Sequence, residues 1–301
     1  MDFYKKIIRS QKVRMKIMEM MSVLPDEWII RFQYRIKTGR KLDLKNPKRF
    51  SEKIQWYKLY YRHPLLTQCA DKLAVREYVE SKGLGHLLNE IYASYDKAEE
   101  IDFDALPNQY AMKANNGCGT NRFIADNSAE DHEKLREIAA GWLNHRTRSV
   151  SGEWDYENIP PRVVFEKLLP RNERNDLPDY KFFCFGGEPF CMYTRVDFCE
   201  DPSKARHAYY DMDFNQLNCR RLNVEPITGK LEKPKNFEKM VEYARILSRD
   251  FPHVRVDFYN LDGQIVFGEL TFYAASGYTL FDPDEFDFRM GEKFILPEPV
   301  C

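Results

Sequence analysis

An α+β fold is the class this 301-residue chain predicts, and three observations carry the prediction. Apolar positions recur at helical spacing through roughly the first 85 residues. From about residue 100 they give way to short runs rich in β-branched and aromatic side chains, with helical stretches at 129–144 and 236–251 between them. Two pairs of these runs are joined by glycine turns, Gly186-Gly187 and Asp262-Gly263, the signature of antiparallel hairpins.

Taken in order, residues 3–21 and 26–38 read as helices, with Pro25 at the break and Gly39 ending the second. Asn46-Pro47 is a turn, and Ser51 is placed as the N-cap of a helix through Ile54, Trp56, Tyr57 and Leu59. Residues 73–81 form a further helix closed by Gly83. Strands are expected at 110–114, 163–166, 180–185, 190–195, 254–259 and 265–269, and loops at 146–155 and 171–178.

With 43% hydrophobic and 31% charged residues the chain can bury a core, which excludes a disordered protein. The 46 basic and 47 acidic side chains exclude a uniformly basic nucleic-acid surface, yet the balance is uneven. Residues 1–50 hold 14 Lys/Arg against 5 Asp/Glu, and the rest hold 32 against 42. Seven cysteines contain no CxxC pair, which reads as reduced thiols rather than a disulfide framework or zinc site. No apolar run approaches the roughly 18 residues of a membrane span, so a cytoplasmic location is expected. The basic, amphipathic residues 1–20 are a candidate for peripheral contact with an anionic leaflet.

Two motifs carry chemistry. Met112-Lys113-Ala114-Asn115-Asn116-Gly117-Cys118-Gly119 is a strand that ends in lysine and runs into a glycine loop, suited either to cradling phosphate or to a tight turn. It matches neither the P-loop nor the GxGxxG spacing. The second is His253-Val254-Arg255-Val256-Asp257-Phe258, followed after the Asp262-Gly263 turn by Glu269-Leu270-Thr271. Alternation puts Arg255, Asp257 and Tyr259 on one face, and Glu269 can face Asp257 across the hairpin. Two adjacent carboxylates call for a cation between them, and hard oxygen donors suit Mg²⁺; the bland alternative is a solvated face with an Arg–Asp pair. Asp211-Met212-Asp213 is a DxD triplet of the kind that holds a metal and a sugar nucleotide. His253, Arg195 and the cluster Trp56, Tyr57, Tyr60 and Tyr61 are weighed between site and packing roles.

The stretches FSEKIQWYKLYYRHPLL, DKLAVREYV, DYKFFCFGGEP, RVDFYNLDGQIVFGELTFY and SGYTLFDP, in this order over roughly residues 45–295, resemble the TupA-like branch of the ATP-grasp superfamily. That branch is linked with teichuronopeptide and capsular polysaccharide synthesis. The resemblance implies two α+β subdomains with antiparallel sheets clasping ATP: a helical segment 1–70 in place of the usual preceding domain, a lid at 71–165 and a C-terminal unit at 166–301. It implies Lys72 and Lys113 on the nucleotide phosphates, Gly117 and Gly119 in the lid loop, and Glu166, Lys167 and Leu168 at the adenine hinge. Asp179 and Lys181 would lie near ribose and phosphate, with Glu173 an alternative ribose partner. Arg255, Lys113 and Arg195 would serve the chemistry, and Asp257 and Glu269 would hold Mg²⁺, with Thr271 where the superfamily commonly has Asn. The implied activity is an ATP- and Mg²⁺-dependent carboxylate–amine ligase joining an amino acid to a hexuronic acid on a free or lipid-linked saccharide. A glycosyltransferase using Asp211 and Asp213 is the alternative.

Overall fold

The computed structural model describes residues 24–117, 119–144, 152–199 and 202–300. The expected helix at 3–21, the basic segment 1–20 and part of the loop 146–155 lie outside them. The first described helix, α1 (Asp26–Thr38), starts after Pro25 and stops at Gly39, whose left-handed φ of 74° turns its N–H back to the carbonyl of Arg35. Helix α2 (Phe50–Tyr60) begins one residue before Ser51, so Ser51 is not its N-cap. Glu52 closes the end instead, accepting the N–H groups of Lys48 and Arg49 at 3.0 and 3.1 Å, while the Ser51 hydroxyl donates to Asp287 at 2.7 Å. Two short helices follow, α3 (Pro64–Ala70) and α4 (Val75–Ser81).

Strands β1 (Ile91–Tyr95), β2 (Tyr110–Ala114) and β3 (Asn121–Ile124), then α5 (His132–Asn144) and β4 (Val163–Lys167), build the first unit. Its antiparallel sheet runs β1-β4-β2-β3. Tyr110, Met112, Ile124 and Phe165 meet Leu135 and Ala139 of α5 in a core of its own. The second unit comprises β5 (Asp179–Phe185), β6 (Glu188–Val196), β7 (Arg206–Tyr210), the short β8 (Arg220–Arg221), α6 (Phe237–Ser248), β9 (His253–Leu261), β10 (Gln264–Thr271), β11 (Phe281–Asp282) and α7 (Glu285–Lys293). Its main sheet is antiparallel in the order β10-β9-β5-β6-β7. The expected division at residue 71 does not follow the packing, because Val75, Tyr78 and Val79 of α4 join the core of this second unit.

The two faces of the five-stranded sheet are treated differently. Phe182, Val254, Val256 and Phe258 are buried in one core with Phe237, Met240, Ala244 and Leu247 of α6. On the other face Phe183, Phe185 and His253 lie under Phe50 of α2, at ring distances of 5.8, 5.8 and 5.0 Å. The helical segment thus covers one end of that face, and further along the same strands the side chains become charged.

Candidate active site

The expected hairpin pairing is present, and its register explains how. From the turn upward, Gln264 pairs with Leu261 and Phe267 with Phe258; then β10 gains one residue, and Glu269 pairs with Asp257 and Thr271 with Arg255. The extra residue is Gly268, a bulge. A Cβ there would stand 3.0 Å from the Asp257 carbonyl oxygen, which favours glycine at this approach. Without the bulge Glu269 would oppose Val256 and point into the core.

Arg255, Asp257, Glu269 and Thr271 consequently share one face. The Arg255 guanidinium donates through Nε to Asp257 Oδ1 at 2.6 Å. Its Nη2 donates to Asp257 Oδ2 at 2.6 Å, to Glu269 Oε1 at 3.0 Å and to Thr271 Oγ1 at 3.0 Å. Three oxygens from three residues therefore converge on one cationic nitrogen. They are hard donors of the kind Mg²⁺ takes, and their convergence fits such an ion, with the guanidinium standing at the meeting point. Among the described residues no three His, Cys, Asp or Glu side chains gather as a metal-holding group; the oxygens that meet here are two carboxylates and one hydroxyl.

The charged face continues across the sheet. Lys181, paired in register with Asp257, donates to its Oδ2 and lies 3.2 Å from Asp179. Arg195 on β6 grips Asp179 through both Nε, at 3.1 Å, and Nη2. Asp179, expected near ribose, spends its oxygens on these two cations. Burial works against charge on Lys181 and Arg255, but their carboxylate partners outweigh it and raise both above their ordinary values. Burial would likewise raise Asp257, and the two cations hold it below the usual carboxylate range. The result is a fixed alternation of cations and anions, Arg195, Asp179, Lys181, Asp257, Arg255 and Glu269.

The first unit faces this ladder with its own charges. Lys113 on β2 donates to Glu166 on β4 at 2.8 Å. Burial disfavours its charge, but Glu166 and, across the cleft, Glu269 contribute to keeping its pKa above the ordinary value. The loop from β2 to β3 carries Gly117 and Gly119, the latter at φ 76°. Lys72 precedes α4 by three residues instead of opening it, and its ammonium donates to the Gly117 carbonyl at 2.5 Å. Two residues without an assigned role in the sequence reading pin this loop: buried Asn115 donates to Asp71 and to the Pro160 carbonyl, each at 3.0 Å. Their signal was position alone, Asn115 closing the strand and Asp71 preceding the lysine.

At the hinge, the Lys167 N–H and carbonyl are taken by Glu90 and Asn89, at 2.9 and 2.8 Å. The Glu166 side chain is held by Lys113, and its backbone lies between Ile91 of β1 and Ala111 of β2. Glu173 is exposed on the loop between the sheets. The DxD triplet forms a turn: Asp211 accepts the N–H groups of Asp213 and Asn215 at 3.0 and 2.8 Å, and Asp213 is exposed. His253 is fully buried, its Nδ1 donates to the Cys184 carbonyl at 2.9 Å, and burial pushes its pKa down to about 3. Tyr57 stacks on Tyr61 at 5.0 Å and Trp56 meets Tyr60 at a tilt 5.2 Å away, which is packing.

Two antiparallel sheets that close on a shared charged cleft, one carrying a lysine and a glycine loop and the other a carboxylate hairpin, define an ATP-grasp architecture. The chain belongs to the TupA-like ATP-grasp family, whose model matches residues 52–295. No curated protein matches the sequence. Among solved structures it is similar to the D-alanine–D-alanine ligase from Bacillus anthracis complexed with ATP, at 16% identity and TM-score 0.41, over 67% of this chain and 54% of that one. It is also similar to the ATP-grasp ligase PsnB complexed with a phosphomimetic precursor variant, Mg and ADP, at 14% identity and TM-score 0.43, over 78% and 62%. D-cycloserine synthetase DcsG aligns at 12% identity and TM-score 0.43, over 76% and 70%. The chain thus spans little more than half the length of the first of these structures.

Proposed function

We propose that this protein is an ATP-dependent carboxylate–amine ligase that works through an acyl phosphate. Membership of the ATP-grasp family supports the class, and the observation that carries the reading is the convergence of Asp257, Glu269 and Thr271 on one cation, inside a face lined by Lys181, Arg195 and Arg255. A substrate carboxylate oxygen attacks the γ-phosphorus of ATP, the bond to the ADP oxygen breaks, and an acyl phosphate forms. An amine nitrogen then attacks the acyl carbon, phosphate leaves, and the proton lost from nitrogen passes to solvent. Lys113 and Lys72 neutralise phosphate oxygens from the lid side, and Lys181 and Arg255 do so from the sheet. Because Asp179 and Asp257 hold these cations in place beforehand, little reorganisation is needed as charge shifts. Mg²⁺ held by Asp257, Glu269 and Thr271 would supply further positive charge to the phosphates. Leu168 offers its backbone to the adenine edge.

The family's link to surface polysaccharides points to a hexuronic acid as the carboxylate and an amino acid as the amine, with the protein on the cytoplasmic side, where ATP is supplied. Purified protein given ATP, Mg²⁺, a uronic acid and a panel of amino acids is expected to release ADP and phosphate in step with an amide product. Absence of ATP binding by calorimetry overturns the class; ADP release only with a different acid overturns the substrate.

A further inference from the structure

Helix α1 has two faces with different fates. Ile29, Ile30, Gln33 and Tyr34 are buried, and Gln33 accepts the Tyr278 hydroxyl at 2.9 Å, only seven residues beyond Thr271 in sequence. Trp28 and Phe32, four apart on the outer face, stack along the helix as one apolar stripe and are 70 and 45% exposed; Leu24, 43% exposed, lies two residues ahead of the helix. Among the described residues the other large exposed apolar side chains, Phe123, Leu222 and Ile295, lie on separate elements.

Cations border the stripe. Arg31 and Arg35 stand one turn beyond Trp28 and Phe32 on the same side and, with Lys41 and Leu42, line a cleft of about 340 Å³. Both guanidinium groups are held in place, Arg31 by Glu27 at 2.8 Å and the Leu42 carbonyl at 2.9 Å, Arg35 by the Gly39 carbonyl at 2.8 Å. Lys45 and Lys48 are exposed on the loop that follows. Residues 24–50 hold eight Lys/Arg against three Asp/Glu.

We propose that the outer face of α1 docks on an anionic lipid bilayer. Trp28, Phe32 and Leu24 enter the interfacial region, where an aromatic ring is most at home at the boundary of apolar and polar layers, and Arg31, Arg35 and Lys41 meet headgroup phosphates in their cleft. Charge complementarity selects this occupant: Arg31 is offset by Glu27, but Arg35 and, just past the helix, Lys41 flank the apolar row on the same side. The assignment stands on α1 alone and does not depend on the ligase reading.

The test is co-sedimentation of the full chain with vesicles of phosphatidylglycerol and phosphatidylcholine in equal parts and of phosphatidylcholine alone. Wild type is expected to bind the anionic vesicles at least about tenfold more tightly than the neutral ones, from roughly a fivefold gain per engaged cation. Trp28→Ala with Phe32→Ala should weaken anionic binding by about tenfold or more, and Arg35→Glu with Lys41→Glu should erase the preference for anionic lipid. The positions are exposed, and an unchanged melting curve verifies that each variant folds. Trp28→Phe should remove the blue shift of fluorescence that vesicles induce. Three results overturn the proposal. One is equal binding to both vesicles, and another is full anionic binding by the Trp28→Ala/Phe32→Ala protein, which would assign attachment to the basic residues 1–20. The third is sedimentation velocity in which that double variant converts a dimer to a monomer, which would give the stripe to a second copy of the chain.

Discussion

The two walls of the cleft hold their cations in opposite ways. On the five-stranded sheet Lys181 and Arg255 are buried, fixed by Asp257 within strands whose neighbours are fully paired. On the lid side Lys72 rests on a carbonyl of a glycine loop, and Lys113 pairs with a single carboxylate. The first wall shares its cations among several carboxylates; the second holds Lys72 on a carbonyl and Lys113 on Glu166. The contrast teaches that the charge network is dense on one wall and sparse on the other, and it predicts different costs for mutation.

The largest effect is expected for Asp257→Ala. It strips the shared counter-charge from two buried cations, a loss of about 3–5 kcal/mol in folding stability, read from urea midpoints; a loss below about 1 kcal/mol would show that this wall is as soft as the lid. Next comes the pH response of His207, which stacks on Tyr193 in the same sheet. Burial first, then Arg221 and Arg195, push its pKa down to about 4. The folded state therefore refuses a proton that the unfolded chain accepts below about pH 6.5, and stability falls as pH drops from there toward 4. Between pH 7 and 5 the loss is about 2 kcal/mol, and His207→Gln should remove that share of the slope. Buried His253, pushed down to about 3, adds to the loss in the same direction. The smallest effect on folding is expected for Lys72→Ala, under about 1 kcal/mol, because the side chain is only half-buried and its bond to the Gly117 carbonyl is a modest one. Its ATP affinity should nonetheless fall about tenfold by calorimetry, one charge–phosphate contact being worth about 1.4 kcal/mol. An unchanged affinity would remove Lys72 from the site.

Much of this was legible in the sequence because strands with apolar or alternating runs announce themselves. β2, β4, β5, β6, β9 and β10 were all expected, most within two residues of their observed ends, and so was α1 with its proline and glycine boundaries. Among the strands that escaped, β1, β3 and β7 are sheet edges, and β8 and β11 are only two residues long. Ile91–Tyr95 is half-buried throughout and Asn121–Ile124 mostly exposed, so neither shows an apolar alternation to read. The short α3 is only seven residues, too brief to display a period. At the site, residue types located the carboxylates, Arg255 and Lys113. The partnerships of Asp179 with Arg195 and of Asp71 with Asn115 join residues 16 and 44 apart, and only the fold brings them together.

Gly268 has a consequence for how such hairpins tolerate change. In a strand, facing is a matter of odd and even counting from the turn, and the Asp262-Gly263 turn alone would leave Arg-x-Asp and Glu-x-Thr on opposite sides of the sheet. The bulge is a parity shift that brings them into phase. By the same counting, loss of Gly268 would leave Glu269 opposite Asp257 in an unbulged ladder, whereas loss of another residue between the turn and Glu269 with the bulge kept would turn Leu270 outward and both Glu269 and Thr271 inward. Lengthening the turn instead adds residues outside the paired strands and need not disturb the phase. Gaps in related chains are therefore expected in the turn or at Gly268 itself, and not at the paired positions between Ile265 and Thr271.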